Sequence, residues 1–249
     1  MTENRAFSDF EARWRERFEE FAHAHDDDAG IAGWTPTGLD TRLRFFLRRA
    51  PRVTEHSCWL DAGCGAGTYS RYLASLGATV VGLDYSHATA RKARSRSAGD
   101  CLWAVADVTR LPLRAAAFDG AICFGVTQAL EQSDAAVREL AGSVRPGGEV
   151  WVDALNALCL PNLLRRMGRW LRGKPRHLRY ESPRALCAAF REAGLIDLEL
   201  AWMPILPGRF GRFQRWVETP LAKWLLRHVP GCGSFFCHAF MVKGRKPVS

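Results

Sequence analysis

The stretch WLDAGCGAGTY, residues 59–69, sets three glycines within five positions directly after a short apolar run. Residues 58–62 read as a strand and residues 67–76 as a helix, so the glycines fall in the turn between them. Gly63, Gly65 and Gly67 let the backbone turn sharply and pass close to a ligand that a β-carbon would exclude. A tight strand-to-helix turn would use glycine as well, so the loop alone does not decide its role. A dinucleotide fingerprint spaces its glycines G-x-G-x-x-G and holds a pyrophosphate on the helix N-terminus. Here the spacing is G-x-G-x-G, with Cys64 inside it and Asp61 two residues before the first glycine. A carboxylate there repels phosphate and suits an amino group, which points to a ligand with a cationic amino end.

Working outward, short apolar runs alternate with helical stretches. Strands are expected at 78–84, 101–107, 118–125 and 148–155, with helices at 86–96 and 133–144 between them. This rhythm implies a doubly wound α/β fold, a parallel sheet with helices on both faces. Its ligands bind beyond the strand C-termini. Asp84 ends the second strand and can accept from both hydroxyls of a ribose. Asp107 ends the third and can accept from an exocyclic amine of a base, with Tyr85 free to lie against the base face. Each aspartate alone would serve as a cap or turn; their succession at neighbouring strand tips makes a site. Upstream, residues 8–24 read as a helix with a Ser8–Glu11 capping box and an apolar face of Phe10, Trp14, Phe18 and Phe21. A second helix is expected near 39–49.

The chain has 249 residues, of which 47% are hydrophobic and 24% charged, an ordinary globular composition. No apolar run approaches the ~20 residues of a bilayer span, and the charged N-terminus lacks a signal-peptide core. A cytoplasmic location follows as the expectation, and membrane-peripheral if the basic helices described below touch lipid. Eight scattered cysteines form no C-x-x-C pair and are read as reduced, mostly buried thiols. Cys232, Cys237 and His238 lie close together but lack further ligands, so no metal is expected.

"LDAGCGAGTYSRYLASLGATVVGLDYS" resembles the first two motifs of class I S-adenosylmethionine-dependent methyltransferases, and "ADVTRLPLRAAAFDGAICFG" the third and fourth. "ELAGSVRPGGEVWVD" resembles the family's helix, Pro-Gly-Gly turn and fifth strand. "YESPRALCAAFREAGL" and "HAFMVKGRKP" are similar to the late helix and the closing strand. The resemblance is strong over about 55–155, looser beyond, and nearest the small-molecule branch that includes the quinone and biotin-pathway enzymes. It implies a Rossmann-like sheet of seven strands, mostly parallel with the last inserted antiparallel, and S-adenosylmethionine at the glycine loop. Carried over by position, Asp61 and Gly63 would sit near the methionine end, and Gly65 and Gly67 beneath the ligand. Asp84 would hold the ribose, and Asp107 and Val108 the adenine. Phe124 and Gly125 would line the methyl-donor region, with Gln128 facing the acceptor.

The reaction implied is methyl transfer to a small-molecule or lipid-like acceptor, with oxygen slightly preferred as nucleophile. A general base is optional; His87, His177, Tyr180 and His238 are candidates, with Tyr180 ranked first as a catalytic residue because it precedes the late helix. Residues 1–55 read as a helical cap, with Trp34 a candidate wall of the acceptor pocket. Residues 56–249 read as the methyltransferase domain, with lid insertions at about 156–180 and 205–232. The net charge of +9 is uneven: residues 160–249 hold 17 Lys/Arg against 5 Asp/Glu. Residues 160–172 and 219–229 read as basic amphipathic helices. Either their apolar sides cap the sheet and cover the pocket, which is the preferred reading, or they lie in a membrane surface. Nucleic acid is disfavoured, because the fourth strand ends CFGVTQ and lacks the motifs of base-modifying relatives. An RNA methyltransferase and a non-catalytic donor-binding partner protein remain the alternatives.

Overall fold

The structure is a computed structural model describing residues 8–49, 51–97, 99 and 101–248. Helices α1 (Asp9–Ala24), α2 (Asp28–Ile31) and α3 (Pro36–Leu47) come first. The alternating core follows as β1 (Cys58–Ala62), α4 (Thr68–Ser75), β2 (Thr79–Asp84), α5 (His87–Ser95), β3 (Cys101–Val105), β4 (Phe118–Cys123), α6 (Asp134–Ser143) and β5 (Val144–Leu155). The last third comprises α7 (Leu160–Leu171), α8 (Pro183–Glu192), β6 (Ile196–Met203), α9 (Pro220–His228), α10 (Cys232–Phe236) and β7 (Ala239–Arg245).

The seven strands form one sheet in the order β3-β2-β1-β4-β5-β7-β6. β1 to β5 pair in parallel, whereas β7 runs antiparallel between β5 and β6. Strand order reverses between β1 and β4, and a crevice opens at that point. Because strand side chains alternate, each strand feeds both faces. Leu60, Ala121, Val150 and Val242 face one core with Leu140 of α6 and Phe190 of α8. Trp59, Ile122, Trp151 and Met241 face the other with Phe46 of α3 and Leu73 of α4.

Two local expectations shift. β5 begins at Val144 rather than 148, because Val144 already pairs with Phe118 of β4, before a register shift across the Pro-Gly-Gly segment to Glu149 opposite Gly120. The capping box of α1 is half made: Ser8 Oγ accepts from Glu11 N–H, while Glu11 Oε1 accepts from the Glu131 N–H at 2.8 Å. The carboxylate expected to close a local cap instead ties α1 to the loop after β4.

The basic helices differ more. α7 begins with Pro161 in its first turn. Its apolar stripe does not pack on the sheet: Trp170 is 76% exposed and Leu171 69%. Asn162 is the one buried residue of α7 among the described residues, and α9 has none. No described helix is long and apolar enough to cross a membrane.

Candidate functional site

The glycine loop gives each glycine a different task. Gly63, Gly65 and Gly67 have φ of +79°, +52° and +81°, a region that L side chains rarely adopt. A β-carbon on Gly63 would lie 2.1 Å from Val126 Cγ2, and one on Gly67 2.5 Å from the Trp103 ring. Those two positions are reserved for neighbouring side chains. A β-carbon on Gly65 would meet nothing within 4 Å. Gly65 therefore keeps backbone bare along an open cleft.

That cleft lies beyond the C-terminal tips of β1, β2 and β4. Gly63, Gly65, Asp84, Tyr85, Phe124 and Gly125 line it, as do Asp107, Val108 and Trp34. Asp84 is fixed by two backbone donors, Gly65 N–H and Ser86 N–H, each at 3.0 Å. Burial pushes its carboxyl up to about 6, against the pull of those N–H groups. Asp107 Oδ1 accepts from the Thr109 N–H and hydroxyl, and its Oδ2 takes the Arg15 guanidinium at 2.6 Å. Thr89 also lines the cleft, and its buried hydroxyl has no partner among the described residues.

Three sequence-derived positions lie behind the cleft rather than in it. Asp61 is buried in β1 and accepts from Ser70 Oγ at 2.6 Å, which anchors α4 beneath the loop. Burial holds its carboxyl up at about 7. The Cys64 thiol is buried and raised well above its ordinary range, again by burial. The open side of Gly67 faces Trp103, and Gly67 does not line the cleft.

The sequence reading gave residues 1–55 as a cap but named no residue of α1 at the site. Trp14, Arg15 and Phe18 line the same cleft. α1 is held over it by the Arg15–Asp107 pair and by the Tyr85 hydroxyl, which donates to the Trp14 carbonyl at 3.0 Å. The apolar spacing of α1 gives its face, but nothing local names the surface that the face covers.

A second cavity of about 510 Å³ adjoins the first, a size suited to a small molecule. Trp14 and Trp34 line both. Trp34 is clamped: its ring centroid lies 4.2 Å from the Arg42 guanidinium carbon, and the ring fills the space where a Gly125 β-carbon would stand. Arg42 Nε donates to Asp153 Oδ2 at 2.7 Å, and Gly125 N–H donates to Asp153 Oδ1 at 2.6 Å. This buried pair ties α3, β5 and the loop after β4 into one partition.

Gln128 lines the second cavity, together with His177 and His238. Tyr180, ranked first as the base, lines neither cavity. Arg179 N–H donates to the Gln128 carbonyl and Glu181 N–H to the Leu155 carbonyl, which leaves Tyr180 in an outer groove under Arg166. His87 opens α5 and also lines neither cavity. Burial, then Arg42 and Arg165, lower His238 to about 4; burial and Arg17 lower His177. Among the described residues, no group of three His, Cys, Asp or Glu could hold a metal ion.

Residues 60–152 match the family described as a methyltransferase domain. A ubiquinone biosynthesis O-methyltransferase from Methylobacterium nodulans is 30% identical over 208 residues, covering 74% of this chain and 81% of its own. The chain belongs to the S-adenosylmethionine-dependent methyltransferase family. This family member is also 38% identical over 146 residues to a malonyl-[acyl-carrier protein] O-methyltransferase from Enterobacter lignolyticus. That match covers 59% of the chain and 55% of the relative, so it spans about half the relative's length. Among solved structures, the S-adenosylmethionine-dependent methyltransferase from Mesorhizobium loti aligns with a TM-score of 0.61 at 17% identity, over 83% of this chain and 98% of that one. Phosphoethanolamine N-methyltransferase 2 from Haemonchus contortus, in complex with S-adenosyl-L-methionine, aligns at 0.64 and 18%, over 92% and 60%. At such identities the structural likeness establishes the fold.

Proposed function

We propose that the chain uses S-adenosylmethionine to methylate an oxygen of a small, lipid-like acceptor. The observation that carries this reading is the shared wall: Trp14 and Trp34 line both the cleft at the glycine loop and the second cavity. A donor in one and an acceptor in the other would meet at that partition. The sequence relatives, O-methyltransferases of malonyl-[acyl-carrier protein] and of ubiquinone biosynthesis, support oxygen as the nucleophile.

The residues at the first cleft fit the donor. Gly65 leaves a bare cradle, and Asp84 keeps lone pairs for ribose hydroxyls beside the unpartnered Thr89 hydroxyl. Asp107 and Val108 would border the base, and Phe124 and Gly125 the reacting end. Bound there, S-adenosylmethionine supplies a methyl group already activated on a sulfonium. What remains for the protein is alignment and exclusion of water, effects that supply on the order of 7–11 kcal/mol in favourable cases. Trp34, braced by Arg42 and Gly125, would fix the approach angle, and α1 would close the cleft from above.

In this reading the described part of residues 1–55 is a cap over both cavities, residues 1–7 lying outside the described residues, and the stretches at 156–180 and 205–232 border the acceptor side. The exposed apolar stripe of α7 lies beside Arg165, Arg166, Arg169 and Arg172, which suits peripheral contact with an anionic lipid surface.

Incubation of the chain with tritiated S-adenosylmethionine and fractionated cell extract tests the proposal. Label should enter the organic-soluble fraction as an alkali-labile ester or a stable ether. Label confined to RNA, or to amines, would overturn it.

A further inference from the structure

Building on the proposed function, we infer that the second cavity takes an acceptor bound as an anion, with its negative oxygen held by Arg17, Arg165 and His177. The cavity is lined by residues from α1, α3, α7, the turn at 127–129, the loop at 205–208 and the segment before β7, and no carboxylate lines it among the described residues. Its charged lining is Arg17, Arg42 and Arg165, with His177 and His238. Arg42 is neutralised locally by Asp153. Arg17 and Arg165 have no carboxylate partner among the described residues; Arg17 instead meets the His177 ring at 2.7 Å. Burial and Arg17 disfavour protonation of the ring, so its Nδ1 accepts from the guanidinium and its Nε2–H is left to donate, beside a positive charge that no described carboxylate offsets.

Further features point to a ligand. Trp34 Nε1, a donor, and Asn162 Oδ1, an acceptor, are buried with no partner among the described residues, and both residues line the cavity. Buried polar atoms are seldom left unpaired in folded proteins. Burial first, and neighbouring guanidinium groups after it, lower the ionisation of both histidines.

The remainder of the lining is apolar. Phe21, Leu155, Leu178 and Ile205 lie in the cavity with Leu206, and Phe236 of α10 belongs both to it and to the exposed surface. Pro161 and Arg165 place the start of α7 at the same rim, beside its exposed stripe. The ligand class is therefore an amphiphile: an anionic oxygen held among Arg17, Arg165 and His177, and a hydrocarbon portion lying along the apolar lining. Carboxylates and acidic phenols share that chemistry. Either brings its own lone pair and asks no proton acceptor of the protein, which accords with Tyr180 lying outside the cavity.

Calorimetric titration of the full chain at pH 8 tests this with three probes: 4-hexylbenzoate, 4-hexyl-2-nitrophenol (ionised at that pH) and the neutral 4-hexylbenzyl alcohol. At least one anion should bind ~10-fold or more tightly than the alcohol, since hydrogen bonds to charged groups are the strong ones. The two anions distinguish a carboxylate site from a phenolate site. Arg17→Gln with Arg165→Gln should abolish the preference, and the corresponding double lysine variant should restore part of it. Circular dichroism and S-adenosylhomocysteine binding should stay at native levels in both variants. Equal binding of all three probes, binding of none, or a preference that survives the double glutamine variant would overturn the inference. Failure of the native chain to bind S-adenosylhomocysteine would instead overturn the donor reading, which is measured separately.

Discussion

Gly65→Ala separates a turn that merely needs glycine from a cradle that needs a ligand. At φ +52° an alanine is strained by about 1–2 kcal/mol. Its methyl would nonetheless find open space, with no atom of the described residues within 4 Å beyond its chain neighbours. Gly63→Ala and Gly67→Ala carry the same kind of strain and also force a β-carbon to 2.1 Å from Val126 and to 2.5 Å from Trp103. Such overpacking adds about 1–3 kcal/mol. In urea unfolding, the Gly65 variant should therefore lose about 1–2 kcal/mol and the other two roughly twice that. Donor affinity should not follow the same order. The methyl of the Gly65 variant occupies the place where the ligand would approach the backbone, and a lost contact of about 2 kcal/mol is roughly 30-fold in Kd. Calorimetry with S-adenosylhomocysteine on the folded variant reads that number. Native affinity in the Gly65 variant, or a stability loss as large as that of the Gly63 variant, would refute the cradle.

Other outcomes follow from buried charge and from the exposed helix. Asp61 is held up at about 7, so the folded chain binds more protons than the unfolded chain between about pH 4 and 7. Its contribution to stability is thus present at low pH and lost as pH rises through that window, by about 1.4 kcal/mol per unit at most. Asp61→Asn should flatten this component when unfolding free energies of variant and native chain are compared at pH 5 and pH 8; a parallel pH dependence would contradict it. Arg42→Met leaves Asp153 buried without its partner and should cost about 3–5 kcal/mol in denaturant unfolding, with less than 1 kcal/mol counting against the partition. For α7, sedimentation with phosphatidylcholine vesicles should require added phosphatidylglycerol, and Leu164→Glu with Trp170→Glu should abolish it while leaving the fold intact. Binding that persists in the variant would move the membrane contact elsewhere.

The glycine loop was legible because its evidence is local: an apolar run, three glycines and a helix within eleven residues. Asp84 and Asp107 were legible for the same reason, as acids at the ends of apolar runs. Asp61 was misplaced because a carboxylate next to a loop looks available until its neighbours in space are known. Ser70, nine residues on, takes it when α4 folds back over β1. Tyr180 was misplaced by the same limit: two backbone hydrogen bonds to segments far away in sequence decide where that stretch runs.

The sequence by itself determined the alternation of strand and helix, the turn at residues 63–67, the acidic strand tips and the basic last third. Each of these follows from periodicity, backbone freedom or charge carried by a few consecutive residues. Only the tertiary structure decided which residues of α1 line the cleft, that Trp34 divides two cavities, and that the stripe of α7 remains uncovered. Trp14 donates to the carbonyl of His177, a contact spanning 163 positions. Such contacts depend on how several amphipathic faces share one finite core, and that competition is settled by packing the whole chain at once rather than by any segment in it.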